Sequence, residues 1–159
     1  NTGGEIRSFN GDSLLVFYPG TTKESLSNGV YAAMQMRYAI TELVNANLKN
    51  YTDINFGIGV DYGNRLATKV GVGGDSDNKD LIWIGHAVNK SAKISDTRKC
   101  PNYIGISKLV YNNVEDYVKY GTKKDSRGNE IKVDMWTQGS FQYNETNEAY
   151  YYTSWFWSI

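Results

Sequence analysis

Apolar residues recur on two periods along this chain, and the switches between them predict alternating strands and helices. Glu5 to Phe9 sets Ile6 and Phe9 among polar residues, and Asn10-Gly11-Asp12 then predicts the turn of a β-hairpin. Ser13 to Tyr18 is the returning strand, stopped by Pro19-Gly20. Leu26, Val30, Ala33, Met36, Ile40 and Leu43 recur three and four apart and predict one buried helix face. Asn45, Asn47 and Asn50 mark the fraying end of that helix. Ile54, Phe56, Ile58 and Val60 then alternate with Asn55, Gly57 and Gly59, a strand with one buried face. Asp61 to Asn64 reads as a turn, Ala67 to Val72 as a strand, and Gly71 to Asn78 as a loop. Leu81 to Ile84 is a short buried strand leading into a helix from Ala87 to Ser95. Tyr103 to Ile106 is a strand with a short helix from Ser107, and the segments 131–136 and 150–157 are aromatic and β-rich. This order predicts an α/β or α+β domain with a mixed sheet.

Composition narrows the function classes. At 159 residues one domain is expected, burying roughly 68–70% of its unfolded surface. Seventeen basic and seventeen acidic side chains cancel, so nothing supplies the basic excess that nucleic-acid binding requires. The longest apolar run, Leu14 to Tyr18, is far below the ~20 residues of a membrane helix. One cysteine, Cys100, excludes an internal disulfide and a Cys-rich metal site, and fits a reducing cytoplasm. One histidine, His86, excludes a multi-His metal site, and no nucleophile-elbow pattern accompanies it. The opening Asn1-Thr2-Gly3-Gly4 has neither Met nor a signal-peptide pattern and reads as a trimmed terminus.

Two segments carry candidate chemistry. In Arg7-Ser8-Phe9-Asn10-Gly11-Asp12-Ser13 a carboxylate stands at a hairpin tip, where it would face a divalent ion, and Gly11 would let a triphosphate approach. Taken alone, Asp12 is more simply a turn former. In Trp83-Ile84-Gly85-His86-Ala87-Val88-Asn89-Lys90-Ser91-Ala92-Lys93, Asn89 and Lys93 fall four apart on one helix face. An amide and a cation there suit a sugar and a phosphate, and a solvated surface is the plainer alternative.

Together, in this order, the motifs resemble the class III nucleotide cyclases. The resemblance rests on Asn10-Gly11-Asp12, the helical stripe from Leu26, Phe56 to Gly63, Lys69 to Gly71, Gly85 to Lys93 and the Ile104 to Ser107 strand. It runs from Thr2 to about Val110. It implies an α+β fold of the ferredoxin-like, palm type, with a mixed, mainly antiparallel sheet flanked by helices. It also implies that two Asp residues hold two divalent ions, Mn²⁺ or Mg²⁺, on a nucleoside triphosphate whose 3′-hydroxyl attacks the α-phosphate. By the same resemblance Asp12 is the second metal-binding Asp, Asn89 orients the ribose, and Lys93 stands where the family carries an Arg. Lys there offers a point charge in place of a planar fork. The family's sites lie between two domains, which implies a homodimer. The first metal Asp belongs to an upstream strand, so residues 1–159 are expected to be one cyclase domain without its first strand and helix.

The base-reading positions depart from the purine cyclases. Ser8 stands in place of a Lys and Ile82 in place of an Asp or Thr, and this pair lacks the groups that read a purine edge. Arg7, Ser8 and Asn10 remain as polar contacts for a smaller base. The pattern is most similar to the pyrimidine cyclases of bacterial anti-phage Pycsar systems, which make cyclic UMP or cyclic CMP for a separate effector. The expectation is a cytoplasmic uridylate or cytidylate cyclase, with UTP favoured. The competing readings are an adenylate cyclase with atypical base contacts and a catalytically dead domain that binds a nucleotide or a partner.

Some features read more simply as structure. Lys123 to Asn129 is a solvated hairpin loop, and Gly73 to Asp80 is a surface loop whose acids repel anions. Trp155-Phe156-Trp157 is packing, His86 is a surface residue at a helix start, and the two Asn-x-Thr sites are chance matches.

Overall fold

The computed structural model describes residues 3–48, 50–71, 79–99 and 101–159. The expectations for residues 72–78 and for Cys100 lie outside them. Strand β1 (Glu5–Asn10) pairs antiparallel with β2 (Ser13–Phe17). Helix α1 (Lys23–Tyr38) follows, capped by the Thr22 hydroxyl accepting from the Ser25 amide at 3.1 Å. The helix widens to a π-helical stretch over Ala39–Val44 and ends in α2 (Asn45–Asn47). Next come β3 (Ile58–Val60), the hairpin of β4 (Leu66–Gly71) with β5 (Lys79–Ile84), and α3 (His86–Asp96). Strand β6 (Ile104–Ser107) leads into α4 (Lys108–Asn113) and α5 (Asp116–Lys119). Two hairpins complete the chain: β7 (Tyr120–Lys124) with β8 (Glu130–Asp134), and β9 (Thr137–Tyr143) with β10 (Thr146–Thr153).

One four-stranded sheet, in the order β3-β6-β10-β9, organises the molecule. β3 and β6 run parallel and the other two pairs antiparallel, as the predicted mixed sheet requires. Alternating residues send side chains to opposite faces. Ile104 and Ile106 face a core of Val30, Ala33 and Met34 from α1 and Val110 from α4. Ile94 of α3 packs with Phe141, Tyr143 and Tyr150 in a second cluster. Gly57, Gly59 and Gly105 floor the α3 side. A Cβ on Gly59 would run into the Ser91 carbonyl oxygen, and one on Gly57 into that of Ser95. The helix thus lies directly on strand backbone.

Several boundaries differ from the sequence reading. The strand expected over 54–60 is regular only over Ile58–Val60. The Asn45 amide accounts for the first of these residues, since it donates to the Ile54 carbonyl at 3.1 Å and accepts from the Ile54 N–H at 2.9 Å. Those backbone groups are thereby withdrawn from any ladder. The buried face of α1 runs through Ser27, Val30, Met34 and Arg37, whereas Met36 and Leu43 are exposed. Met36 lies off that stripe within the α-helix itself, and the π-helical stretch shifts the phase only beyond Ala39, at Leu43. Trp155 and Trp157 pack on the core without regular structure, as packing residues should, so the expected strand ends at Thr153.

Asp61, read as a turn residue, is half-buried at the end of β3. Burial raises its carboxyl above the usual 3.8, opposed by hydrogen bonds from Ser107 and the Tyr62 backbone and by the charges of Lys90 and His86. A carboxyl with a raised folded-state pKa holds its proton more tightly when folded. Its contribution is therefore fully present below 3.8 and lost as pH rises to the raised value. Asp61→Asn keeps the neutral form and is expected to melt higher than wild type at neutral pH. Thermal melts across the acid range should show the gap closing as pH falls; a constant gap would count against this account.

Candidate active site

The hairpin tip is built one residue later than the Asn-Gly pair suggests. Asn10 closes the ladder opposite Ser13, leaving Gly11 and Asp12 as the two-residue turn. Gly11 has φ +61° and Asp12 is not left-handed, the pattern of a turn with glycine at its first central position. Asp12 is exposed, so its carboxylate is held at the tip with open solvent before it. Farther down β1, the register slips between Ile6 and Ser8, making Arg7 the extra residue of a β-bulge. Arg7 pairs with Glu5 and stands over the Trp83 ring at 5.3 Å. Ser8 beside it is half-buried.

Trp83 brings the second candidate segment to the first. Its ring meets Phe17 of β2 edge-on at 4.9 Å, and Arg65 lies over Phe17 at 4.3 Å and over Trp83 at 5.9 Å. Ile82, the chain neighbour of Trp83, is 41% exposed on β5 opposite Thr68. Asn89 and Lys93 are exposed on α3, one turn apart, while Ile94 is buried beneath the helix. The helix is tied down by the Lys90–Glu148 ion pair and by the Tyr143 hydroxyl, which donates to the His86 carbonyl at 3.4 Å. His86 itself is exposed, as expected of a surface residue.

The structure thus brings Arg7 and Ser8 to the strand that carries Ile82, and sets Asn89 and Lys93 on one face. Asp12 stands apart: among the described residues, no hydrogen bond or ion pair joins it to Asn89 or Lys93. A concavity of about 450 Å³ lies against Pro19, Gly20, Thr21 and residues 62–65, and none of the predicted site residues lines it. No group of three His, Cys, Asp or Glu among the described residues forms a metal cage. Asp12 offers one carboxylate to such an ion, and no second acid is grouped with it among the described residues. Sequence reasoning missed Phe17, Arg65 and Trp83 as one cluster, because nothing in local spacing links residues 17, 65 and 83.

No family model matches this chain. Curated relatives do. Over 99% of the chain it is 24% identical to a protein of Burkholderia cepacia named uridylate cyclase, and 25% identical to one of Xanthomonas perforans with the same name. It spans 62% and 63% of their lengths. A uridylate cyclase of Gulbenkiania mobilis is 30% identical over 72% of this chain and 47% of its own. Among solved structures, a bacterial light-regulated adenylyl cyclase superposes with a TM-score of 0.62 over 94% of this chain and 38% of its own, at 21% identity. The chain is thus similar along nearly its whole length to proteins named uridylate cyclase, and it shares its fold with a solved adenylyl cyclase. The palm-type α+β fold expected of a class III cyclase is the one observed, and its relatives' shared name falls on the pyrimidine side of the family. No helix among the described residues of this cyclase relative is long and apolar enough to cross a membrane.

Proposed function

We propose that this chain is the catalytic domain of a pyrimidine nucleotide cyclase that converts UTP, or CTP, to its 3′,5′-cyclic nucleotide and pyrophosphate. One observation carries the reading. Ser8 and Ile82 stand where the resemblance puts the base-reading pair, in a chain similar along 99% of its length to a protein named uridylate cyclase. An aliphatic side chain at residue 82 offers a purine edge no hydrogen bond, and a buried polar edge left unpaired is strongly disfavoured. The homology and the single-ring reading point the same way.

In the reaction, the 3′-oxygen forms a bond to the α-phosphorus as the bond from that phosphorus to the bridging oxygen breaks. The 3′-hydroxyl proton is lost and pyrophosphate leaves. Asn89 holds the ribose, and Lys93, one turn on, places its ammonium against the charge that builds on the phosphate. Asp12 would be one oxygen ligand to a divalent ion, Mn²⁺ or Mg²⁺, which when bound neutralises the triphosphate. The resemblance implies that this site is shared by two copies in a homodimer. The product would act on a separate effector in the cytoplasm as an anti-phage signal.

A second reading, a non-catalytic nucleotide-binding domain, is favoured by Lys93 in the Arg position and by the single carboxylate. Mass spectrometry of the full-length protein incubated with each of the four ribonucleoside triphosphates and Mn²⁺ separates them. Cyclic UMP or CMP is the expected product. Cyclic AMP or GMP would overturn the base assignment, and no product from a folded dimer would leave the binding reading. Lys93→Met is expected to lower kcat by roughly a hundredfold with less change in KM, and Lys93→Arg to retain activity. Steady-state kinetics checks both variants; equal loss in the two would remove Lys93 from the mechanism.

A further inference from the structure

The β1–β2 and β4–β5 hairpins form separate two-stranded sheets, and no backbone ladder joins them among the described residues. Side chains hold them together instead. Arg7 lies over Trp83 at 5.3 Å, Trp83 meets Phe17 edge-on at 4.9 Å, and Arg65 covers Phe17 at 4.3 Å. Two guanidinium groups thus flank one aromatic pair, an arrangement favoured by the negative face of each ring. The Trp83 indole N–H is buried and has no hydrogen-bond partner among the described residues, so ring contacts carry its placement there. Glu5 pairs with Arg7 and holds its charge in place.

This clamp falls one peptide bond from each base-reading position. Arg7 is the chain neighbour of Ser8 and Trp83 that of Ile82. Arg7 is also the bulged residue, and a bulge re-aims the side chains around it. We propose that the Arg7–Trp83 contact, backed by Phe17 and Arg65, is a positioning element for base selection. It sets the separation of Ser8 and Ile82 so that a single-ring base fits and a purine does not. The proposal rests on the pyrimidine cyclase reading. Trp83 and Arg65 act through Ser8 and Ile82 without touching substrate, so their effect falls on discrimination between bases.

The test compares kcat/KM for UTP and CTP with that for ATP and GTP in the full-length protein carrying Trp83→Leu, Trp83→Phe or Arg65→Met. Trp83→Leu and Arg65→Met are expected to lower the pyrimidine-to-purine ratio by roughly tenfold, with purine turnover rising in absolute terms. Trp83→Phe keeps a ring under Arg7 and is expected to restore most of the ratio. Arg65 is exposed, so Arg65→Met reads the same quantity if Trp83→Leu fails to fold. A ratio unchanged while all four rates fall together would overturn the proposal, since loss of structure lowers every substrate alike. Cyclic purine product or none from wild type would instead remove the pyrimidine reading, before any variant is compared.

Discussion

Asp12→Ala is expected to abolish cyclic-nucleotide formation, by at least about a hundredfold in kcat, with the fold intact. Asp12 occupies the second position of an exposed two-residue turn whose unusual backbone angle falls on Gly11. A surface substitution there moves stability by about 0.5 kcal/mol or less, a melting shift of roughly 2 °C at this size. The loss would therefore be chemical: a triphosphate approaching the tip would meet no carboxylate to hold its counter-ion. Asp12→Asn, which keeps the side chain's shape, is expected to fail equally. Mass spectrometry of the product and a thermal melt on the same preparations check both. Full activity in either variant would reduce Asp12 to the turn former that its context alone suggests.

Gly59→Ala is expected to cause the largest loss of stability from any single methyl. The added carbon would be driven into the Ser91 carbonyl oxygen, which is backbone and cannot rotate away. Relief requires α3 to lift off the sheet, and overpacking of that kind costs about 3 kcal/mol. The melting temperature should then fall by roughly 6–12 °C. Activity should fall further than stability explains, because Asn89 and Lys93 ride on the lifted helix. Gly105→Ala is the comparison. Its carbon would meet the Cγ2 methyl of Ile94 at 2.6 Å and the Arg98 side chain at 3.1 Å, side-chain atoms in place of backbone, so the loss should be smaller. Melting curves and kcat for the pair decide the matter, and equal losses would contradict the close docking of α3.

What was legible in the sequence was local. The β1–β2 hairpin, α3 and β6 came close to their bounds because Asn10-Gly11-Asp12, Gly85 and the alternation of Ile104 and Ile106 each declare themselves within a few residues. The α1 face was misplaced at Met36, where Met34 and Arg37 carry the stripe, and at Leu43 because period 3.6 was extended through a stretch that is π-helical from Ala39. Ile54 was lost from the expected strand to Asn45, a side chain nine residues away that no alternation pattern registers. β7 and β9 passed unseen, since Thr122-Lys123-Lys124 and Thr137-Gln138-Gly139-Ser140 carry little apolar contrast. Asp12, Asn89 and Lys93 were read from a family pattern, and their roles are those proposed above. The aromatic and cationic clamp was not legible, since its members come from three strands and the residue before β4, which meet only once the chain is folded.

The position of β10 bears on how this chain is made. It is the last of the described strands in sequence, yet it lies inside the sheet, between β6 and β9. During synthesis α1, β3, α3 and β6 leave the ribosome first, with one edge of β6 still open along Ile104–Ser107. That edge closes only when residues 150–153 arrive, carrying Tyr150 to the second core cluster and Tyr151 to the first. Nascent chains stalled short of Thr153 would therefore expose an unpaired strand edge, the feature most prone to pairing with a neighbouring chain. Cooperative folding has to wait for the C-terminal hairpin, and shielding of the growing chain matters most just before it emerges.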